Sequence, residues 1–310
     1  MYIAEKQSQT GYPWLGHGPD AAHLDPKNVS IVVPARNEAT VLPALLEKLR
    51  ASFKGSEIIV VDDGSSDDTR EVCRQSGARV VSHPYGVGNG GAIKTGARAA
   101  GREVLVFLDA DGQHDPADID RLFSKLLEGY DMVVGARAPT SHASFGRRLA
   151  NSFYNWMASA LTGHLVQDLT SGFRIARAEK FREFIHLLPN GFSYPTTITM
   201  CFFRAGYPVG YVPITAGARQ GKSHIRPLQD GLRFLLIIFR VGTLYSPLKV
   251  FVPISLLFFI LGSGYYGYTL LTLHRFTNMS ALLLTTSVLI FLIGLVSEQI
   301  TNLLYSQKRS

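Results

Sequence analysis

Val104–Pro116 reads VLVFLDADGQHDP, and this stretch decides the fold. Its first five residues form a continuous apolar run, the pattern of a strand buried on both faces, and the expected strand runs from Val104 to Asp109. Asp109 and Asp111 follow at the carboxyl end, the rim where open α/β sheets bind ligands. On a straight strand, carboxylates two residues apart point the same way and offer the hard oxygen ligands suited to Mg²⁺ or Mn²⁺. Gln113 adds a neutral oxygen. A DxD triplet alone reads equally well as a solvated acidic turn; its place after the apolar run favours the metal site.

Working outward, short apolar runs alternate with amphipathic segments from Val29 to Arg137. Strands are expected at Val29–Val33, Glu57–Asp62, Ala78–Ser82 and Asp131–Ala136, giving a mostly parallel α/β sheet covered on both faces. The first ends in VPARNE, where Pro34 is expected to stop the ladder and Arg36, Asn37 and Glu38 reach the same rim. The second ends in VDDGSSDDT; Asp67 and Asp68 read best as helix caps, whereas Asp63 at the rim has the chemistry to accept hydrogen bonds from a base or ribose. Gly86, Gly88 and Gly91 satisfy a GxGxxG pattern, which a glycine-rich segment meets easily. A dinucleotide fold would leave the second DxD carboxylate and the apolar C-terminus unexplained.

The chain has 310 residues, 46% of them hydrophobic, and that excess gathers near its end. Val250–Leu273 carries no charge and, as a helix, spans roughly 36 Å, enough to cross a bilayer. A second apolar run lies within 280–300, and His274–Ser280 separates the two, predicting a helical hairpin. A buried core pair is the alternative, and neither run has the polar stripe it needs. Arg226, Arg233, Arg240 and Lys249 precede the hairpin, Lys308 and Arg309 follow it, and only Arg275 lies between, so the catalytic side is expected in the cytoplasm. The net charge of +7 suits nucleic acid, anionic lipid or a phosphorylated substrate, and the juxtamembrane basic residues favour lipid over nucleic acid. Cys73 and Cys201 match no metal spacing and read as buried thiols. Residues 1–28 read as a loosely ordered arm, 29–226 as the catalytic domain, 227–249 as juxtamembrane helices, 250–300 as the hairpin and 301–310 as a cytoplasmic tail. Basic and aromatic residues mix in Phe145–Leu161 and Pro227–Val241, which suits helices lying in a headgroup layer.

Taken in order, VPARNE, VDDGSSDDT, GNGGAIKTG, LDADGQHDP, VVGAR and DLTSGFR resemble family 2 glycosyltransferases of the GT-A fold, most of all the dolichyl- and polyprenyl-phosphate mannosyl- and glucosyltransferases. The resemblance covers about Val29 to Ile225. It implies that Pro34, Arg36, Glu38, Asp63 and Lys94, with Asp109, Ala110 and Asp111, hold the nucleotide sugar, and that Asp109, Asp111 and Gln113 hold Mg²⁺ or Mn²⁺. It implies further that Arg137 and Arg147 bind the acceptor phosphate, with Asn151 where the family carries Ser, and that Asp168 and Ser171 line the acceptor side. Arg219, Lys222 and Ser223 form a variant of a later phosphate motif, with Arg219 one residue closer to the glycine and His224 replacing a lysine. Asp111, Arg137, Asp168 and Arg219 are the expected catalytic residues.

The activity implied is inverting transfer of mannose or glucose from a GDP- or UDP-linked donor to polyprenyl phosphate. A processive polysaccharide synthase would carry a QxxRW element, and neither Trp14 nor Trp156 lies in one. A non-catalytic scaffold would have lost a metal carboxylate, and both are present. Donor base, sugar, lipid length and the choice between monomer and homo-oligomer stay open.

Overall fold

The computed structural model describes residues 25–137, 145–191, 193–215, 217, 239, 242–243 and 246–306, with backbone alone at 145–151 and 304–306. By its contacts the chain forms two compact units, Met1–Arg148 with Gln167–Lys222 and Leu149–Val166 with Ser223–Ser310.

In the first unit, seven strands form one sheet: β1 (Val29–Ala35), β2 (Glu57–Asp62), β3 (Arg79–Ser82), β4 (Val104–Phe107), β5 (Met132–Arg137), β6 (Arg174–Arg177) and β7 (Val209–Ile214). Their order is β3-β2-β1-β4-β6-β5-β7, and β6 alone runs antiparallel to its neighbours β4 and β5. The order reverses between β1 and β4, so the crevice beyond their carboxyl ends is the topological switch point.

One face of the sheet carries Ile31 and Val33 of β1 and Val106 of β4, buried against α1 (Leu42–Ser52) and α4 (Asp118–Leu127). Both helices present an i, i+3, i+4, i+7 stripe, Leu42, Leu45, Leu46 and Leu49 in one and Ile119, Leu122, Phe123 and Leu126 in the other. Each such side chain contributes about 1.5–3 kcal/mol on burial. On β1 and β2, α3 (Asn89–Ala99) approaches so closely that a Cβ at Gly96 would lie 2.2 Å from Val32 Cγ1.

Two strand ends depart from expectation. Pro34 does not stop β1, which pairs with β2 through Ala35↔Asp62. Val32 O accepts from Leu108 N on the β4 side and Ala35 O from Asp63 N on the β2 side, so alternation turns the Pro34 nitrogen toward β4, whose ladder has already ended at Phe107. No ladder bond is lost there. Because β4 stops at Phe107, Asp109 and Asp111 sit on the loop beyond it, and strand alternation does not govern their directions.

The loop that carries DLTSGFR runs into the strand β6 at Arg174, and α6 (Ala178–Glu183) follows. Helix α7 (Tyr194–Ala205), buried from Tyr194 through Phe203, then leads into β7. Short helix α2 (Thr69–Gln75) joins β2 to β3, and of the two aspartates before it Asp67 bonds Thr69 N, whereas Asp68 makes no side-chain cap.

The second unit holds most of α5 (Phe145–Thr162) and two long apolar helices, α8 (Pro247–Leu273) and α9 (Asn278–Ser306). Both are long and apolar enough to cross a membrane, with mean hydropathies of 1.8 and 2.4, and only 11% and 17% of their apolar windows are buried. That exposure removes the buried core pair. They pack on each other through Gly262 against Leu283 and Leu284, Gly294 against Phe251, and a reciprocal polar clasp. In the clasp, Ser255 Oγ donates to Ser287 O at 2.8 Å and Ser287 Oγ to Ser255 O at 2.9 Å.

Candidate active site at the carboxyl rim of the sheet

Asp109 leaves the end of β4 half-buried, with its carboxylate lying against the backbone of Gly172, where a Cβ would meet Oδ2 at 2.5 Å. Only glycine leaves room for that approach. Asp111 follows a tight turn, and its Oδ1 accepts the Gln113 N–H at 3.1 Å. Gln113 O in turn accepts Gly217 N–H at 2.8 Å, which brings the chain two positions before Arg219 onto this loop.

Among the described residues no group of three His, Cys, Asp or Glu side chains forms a closed metal cage. Two carboxylates and an amide oxygen instead fit a hard divalent ion completed by water and substrate phosphate, the usual habit of Mg²⁺. The donor set therefore fits the expected metal.

Arg137 ends β5 and is clamped by Asp168 from the loop before β6. Arg137 Nε donates to Asp168 Oδ2 at 2.8 Å and Nη2 to Oδ1 at 3.0 Å, while the Arg137 backbone N–H reaches Oδ2 at 3.2 Å. Thr170 Oγ1 takes a further Nη2 bond at 2.6 Å. Asp168 is buried and also accepts the N–H groups of Thr170 and Ser171, at 3.0 and 3.1 Å. Burial opposes its charge, but the Arg137 guanidinium and these N–H donors hold it below the ordinary carboxylate range. Burial likewise opposes the Arg137 charge, and Asp168, helped by Asp109 and Asp111, outweighs it and holds the guanidinium ionised.

Beneath this pair lies a residue that sequence reading quoted without assigning. Arg174 is fully buried, donates to Pro195 O at 3.2 Å and Thr199 Oγ1 at 3.3 Å, and makes a short bond to Ser171 O. Tyr194, stacked by its guanidinium, donates to Gly172 O at 3.3 Å. Together they brace the loop on which Asp109 rests. Ser171 itself is 1% exposed and turned toward Phe173 O, so its burial takes its hydroxyl away from a ligand. His114 is stacked on Phe173, and burial lowers its pKa despite nearby Asp111.

The rim formed by β1, β2 and β3 is tied together by its own polar groups. Glu38 N–H bonds Thr69 Oγ1 at 2.9 Å, and Asn37, in the left-handed region at φ 57°, accepts Ser66 N–H through Oδ1 at 2.8 Å. Asp63 is buried and accepts Val87 N–H at 2.7 Å, Gly88 N–H at 2.8 Å and a bond with His83 Nδ1 at 2.8 Å. Burial opposes its charge, and His83 and the two N–H groups outweigh that and keep its pKa low. These bonds tie it to the glycine loop, a contact the sequence did not disclose. Arg36 is exposed, with its guanidinium laid over Gly86.

The glycine-rich start of α3 is covered by the protein itself. A Cβ at Gly88 would meet Asn190 O at 2.5 Å, one at Gly90 would meet Pro189 O at 2.2 Å, and Gly91 N–H donates to Asn190 O at 3.0 Å. Lys94 Nζ donates to Leu188 O at 3.1 Å and makes a short bond to Asn190 Oδ1. The start of α3 thus meets the 188–191 backbone, and the amine of Lys94, expected at the donor, is turned to that segment. The side chains of Arg147 and Asn151, and all of Arg219, Lys222 and Ser223, lie outside the described residues.

Residues 30–185 match the family described as Glycosyl transferase family 2, and residues 246–303 match the GtrB C-terminal hairpin. An uncharacterised glycosyltransferase of Mycobacterium tuberculosis is 31% identical over 195 residues, covering 62% of this chain and 87% of its own. An undecaprenyl-phosphate 4-deoxy-4-formamido-L-arabinose transferase of Pectobacterium carotovorum is 36% identical over 172 residues, 52% of this chain and 52% of that protein. Among solved structures, glucosyl-3-phosphoglycerate synthase of M. tuberculosis, crystallised with Mn²⁺, UDP and phosphoglyceric acid, superposes with a TM-score of 0.56 at 26% identity, covering 69% of this chain and 78% of that one. The mostly parallel sheet is therefore of the GT-A type. The family match spans Asp63, Asp109, Asp111, Arg137 and Asp168, and this chain belongs to family 2 of the glycosyltransferases.

Proposed function

We propose that this glycosyltransferase moves a hexose, mannose or glucose, from a GDP- or UDP-linked donor to a polyprenyl phosphate at the cytoplasmic face of a membrane. The observation that carries the reading is Arg137, held in a carboxylate fork and within the electrostatic reach of Asp109 and Asp111, in a chain that ends in an apolar hairpin. A cation set beside the metal-type carboxylates suits an anionic acceptor. The relative that acts on undecaprenyl phosphate and the hairpin match support the lipid carrier. The Mn²⁺ and UDP held by the solved relative support a nucleotide donor and a divalent ion.

A lipid monophosphate is largely dianionic at neutral pH, its second pKa being about 6, so its oxygen needs aiming more than deprotonation. Arg137 would orient that oxygen through the donors that Asp168 and Thr170 leave unused, with Asp168 fixing the guanidinium plane. The phosphate oxygen then attacks the anomeric carbon from the face opposite the leaving group. The bond to the nucleoside diphosphate breaks, and the anomeric centre inverts. Asp109, Asp111 and Gln113 would hold the divalent ion, which when bound neutralises charge building on the departing diphosphate. Arg147, Asn151, Arg219, Lys222 and Ser223 complete the proposed phosphate contacts; Gly217, bonded to Gln113, supports this for the last three.

Lys249 before the first span, Lys308 and Arg309 after the second and Arg275 alone between them support a cytoplasmic catalytic side with both spans crossing. Helix α5 and the turn after it support a further headgroup contact: Phe153 and Trp156 on the helix and Leu165 beyond it are 44%, 65% and 74% exposed, and Lys249 Nζ, at the start of α8, bonds Leu161 O at 2.7 Å.

The test is transfer by the purified full chain from labelled UDP-glucose, GDP-mannose and a UDP-linked 4-formamido-arabinose, each offered polyprenyl phosphate, 3-phosphoglycerate or water. Lipid-linked sugar formed from one hexose donor is the expected result. Transfer to 3-phosphoglycerate alone, or none to lipid from any donor, would refute the reading.

A further inference from the structure

We propose that Tyr85 is the platform on which the base of the nucleotide donor stacks; this rests on the nucleotide-sugar reading above. Among the described residues of the first unit, Tyr85 is the single large apolar side chain left exposed, at 71%; the other exposed large apolar side chains all belong to the unit with the hairpin. An aromatic ring kept in water on an otherwise well-covered domain calls for an occupant.

Its position says which. Tyr85 follows β3, beside the carboxyl ends of β1 and β2, on the side of the switch point away from Arg137 and β5. The loop that carries it is held on both flanks by the end of β2: His83 N–H donates to Asp62 O at 2.8 Å, and Val87 and Gly88 N–H both bond Asp63. Gly64, at φ +67°, lies directly on the Tyr85 backbone, where a Cβ would come within 2.5 Å of the Tyr85 carbonyl carbon. The ring is thus presented from a fixed backbone, which cuts the ordering cost of binding.

On the neighbouring residue, the Arg36 guanidinium, a planar donor-only group, lies over Gly86. A flat, acceptor-bearing base suits an exposed aromatic ring whose neighbouring residue carries a guanidinium over it. Stacking tolerates any base, so Tyr85 would contribute affinity, and discrimination between bases would fall to the hydrogen-bonding groups around it.

The experiment compares full-length wild type, Tyr85→Ala and Tyr85→Phe by calorimetry in detergent with Mn²⁺, using UDP, GDP and inorganic pyrophosphate as probes. Tyr85→Ala should weaken the nucleoside diphosphate that wild type binds by roughly tenfold or more, the range of one base–aromatic stack, and leave pyrophosphate within about twofold. Tyr85→Phe should stay within about twofold of wild type throughout. Unchanged nucleotide affinity in Tyr85→Ala would overturn the stacking role, as would an equal loss for pyrophosphate. Wild type that binds neither nucleotide would overturn the donor reading itself, an outcome distinct from the other two.

Discussion

Asp168 holds Arg137 through both carboxylate oxygens, Nε to Oδ2 at 2.8 Å and Nη2 to Oδ1 at 3.0 Å, so the fork is spent inside the protein and aims the rest of the guanidinium outward. Arg137→Lys keeps the charge and loses the plane. Transfer to polyprenyl phosphate should fall by about 10- to 100-fold with nucleotide affinity kept. Asp168→Asn should cause a similar fall, and the double variant should be little worse than either single one, because the two act as a unit. Turnover unchanged in Arg137→Lys would remove it from the acceptor site.

Asp111→Asn tests the metal loop. Asp111 is half-exposed and past the strand end, so its substitution should alter stability by no more than about 0.5 kcal/mol. Transfer should drop by about 100-fold or more, and Mn²⁺ affinity measured with UDP present should weaken in parallel. Near-normal transfer at low Mn²⁺ would discard the assignment.

The exposed ring of Trp156 offers a direct probe of the headgroup contact. With Trp14→Phe it becomes the sole tryptophan of the chain. Reconstituted in lipid, it should be quenched by brominated acyl chains and protected from aqueous iodide. Strong iodide quenching with no effect of the brominated lipid would place the α5 face in water.

The carboxylates of Asp63 and Asp168 are both held below the ordinary range, Asp63 by His83, Val87 N–H and Gly88 N–H and Asp168 by Arg137, in each case against burial. The unfolded chain, with Asp near pKa about 3.9, then binds more protons than the native one as acid is added. Their stabilisation is complete above that value and is lost as the pH falls through the lower folded values. The thermal midpoint of wild type should therefore decline steadily below about pH 5, and Asp63→Asn, less stable at pH 7, should show a shallower decline. Parallel profiles would show that Asp63 is not part of the acid response.

The parallel half of the sheet was legible because its strands are apolar on both faces; Glu57–Asp62 lies where its pattern puts it. β6 was not, since Arg174–Arg177 spells RIAR and its two arginines are nevertheless buried. The compensation comes from afar, Arg177 pairing with Asp131 at 3.1 Å and Arg174 with carbonyls and Thr199, and no local pattern signals that. Asp109, Asp111 and Arg137 could be singled out in the sequence because each sits at or just beyond a strand end, and Asp168 because it opens a recognisable motif. The second use of Asp63 and the inward turn of Lys94 could not. Both depend on partners, Val87 and Asn190, 24 and 96 residues away.

The contact of Gly91 with Asn190 also sets an order of events during synthesis. The first four strands can leave the ribosome and pair among themselves, yet β5 lacks its neighbour β6 until residue 177 has emerged, and the head of α3 stays bare until about residue 191. Since domains tend to fold as units from the N-terminus, the rim at α3 is finished late in the folding of the first unit, before the hairpin is translated. A nascent chain stalled before residue 188 would carry every metal and rim carboxylate proposed here and still lack the segment that closes the α3 end.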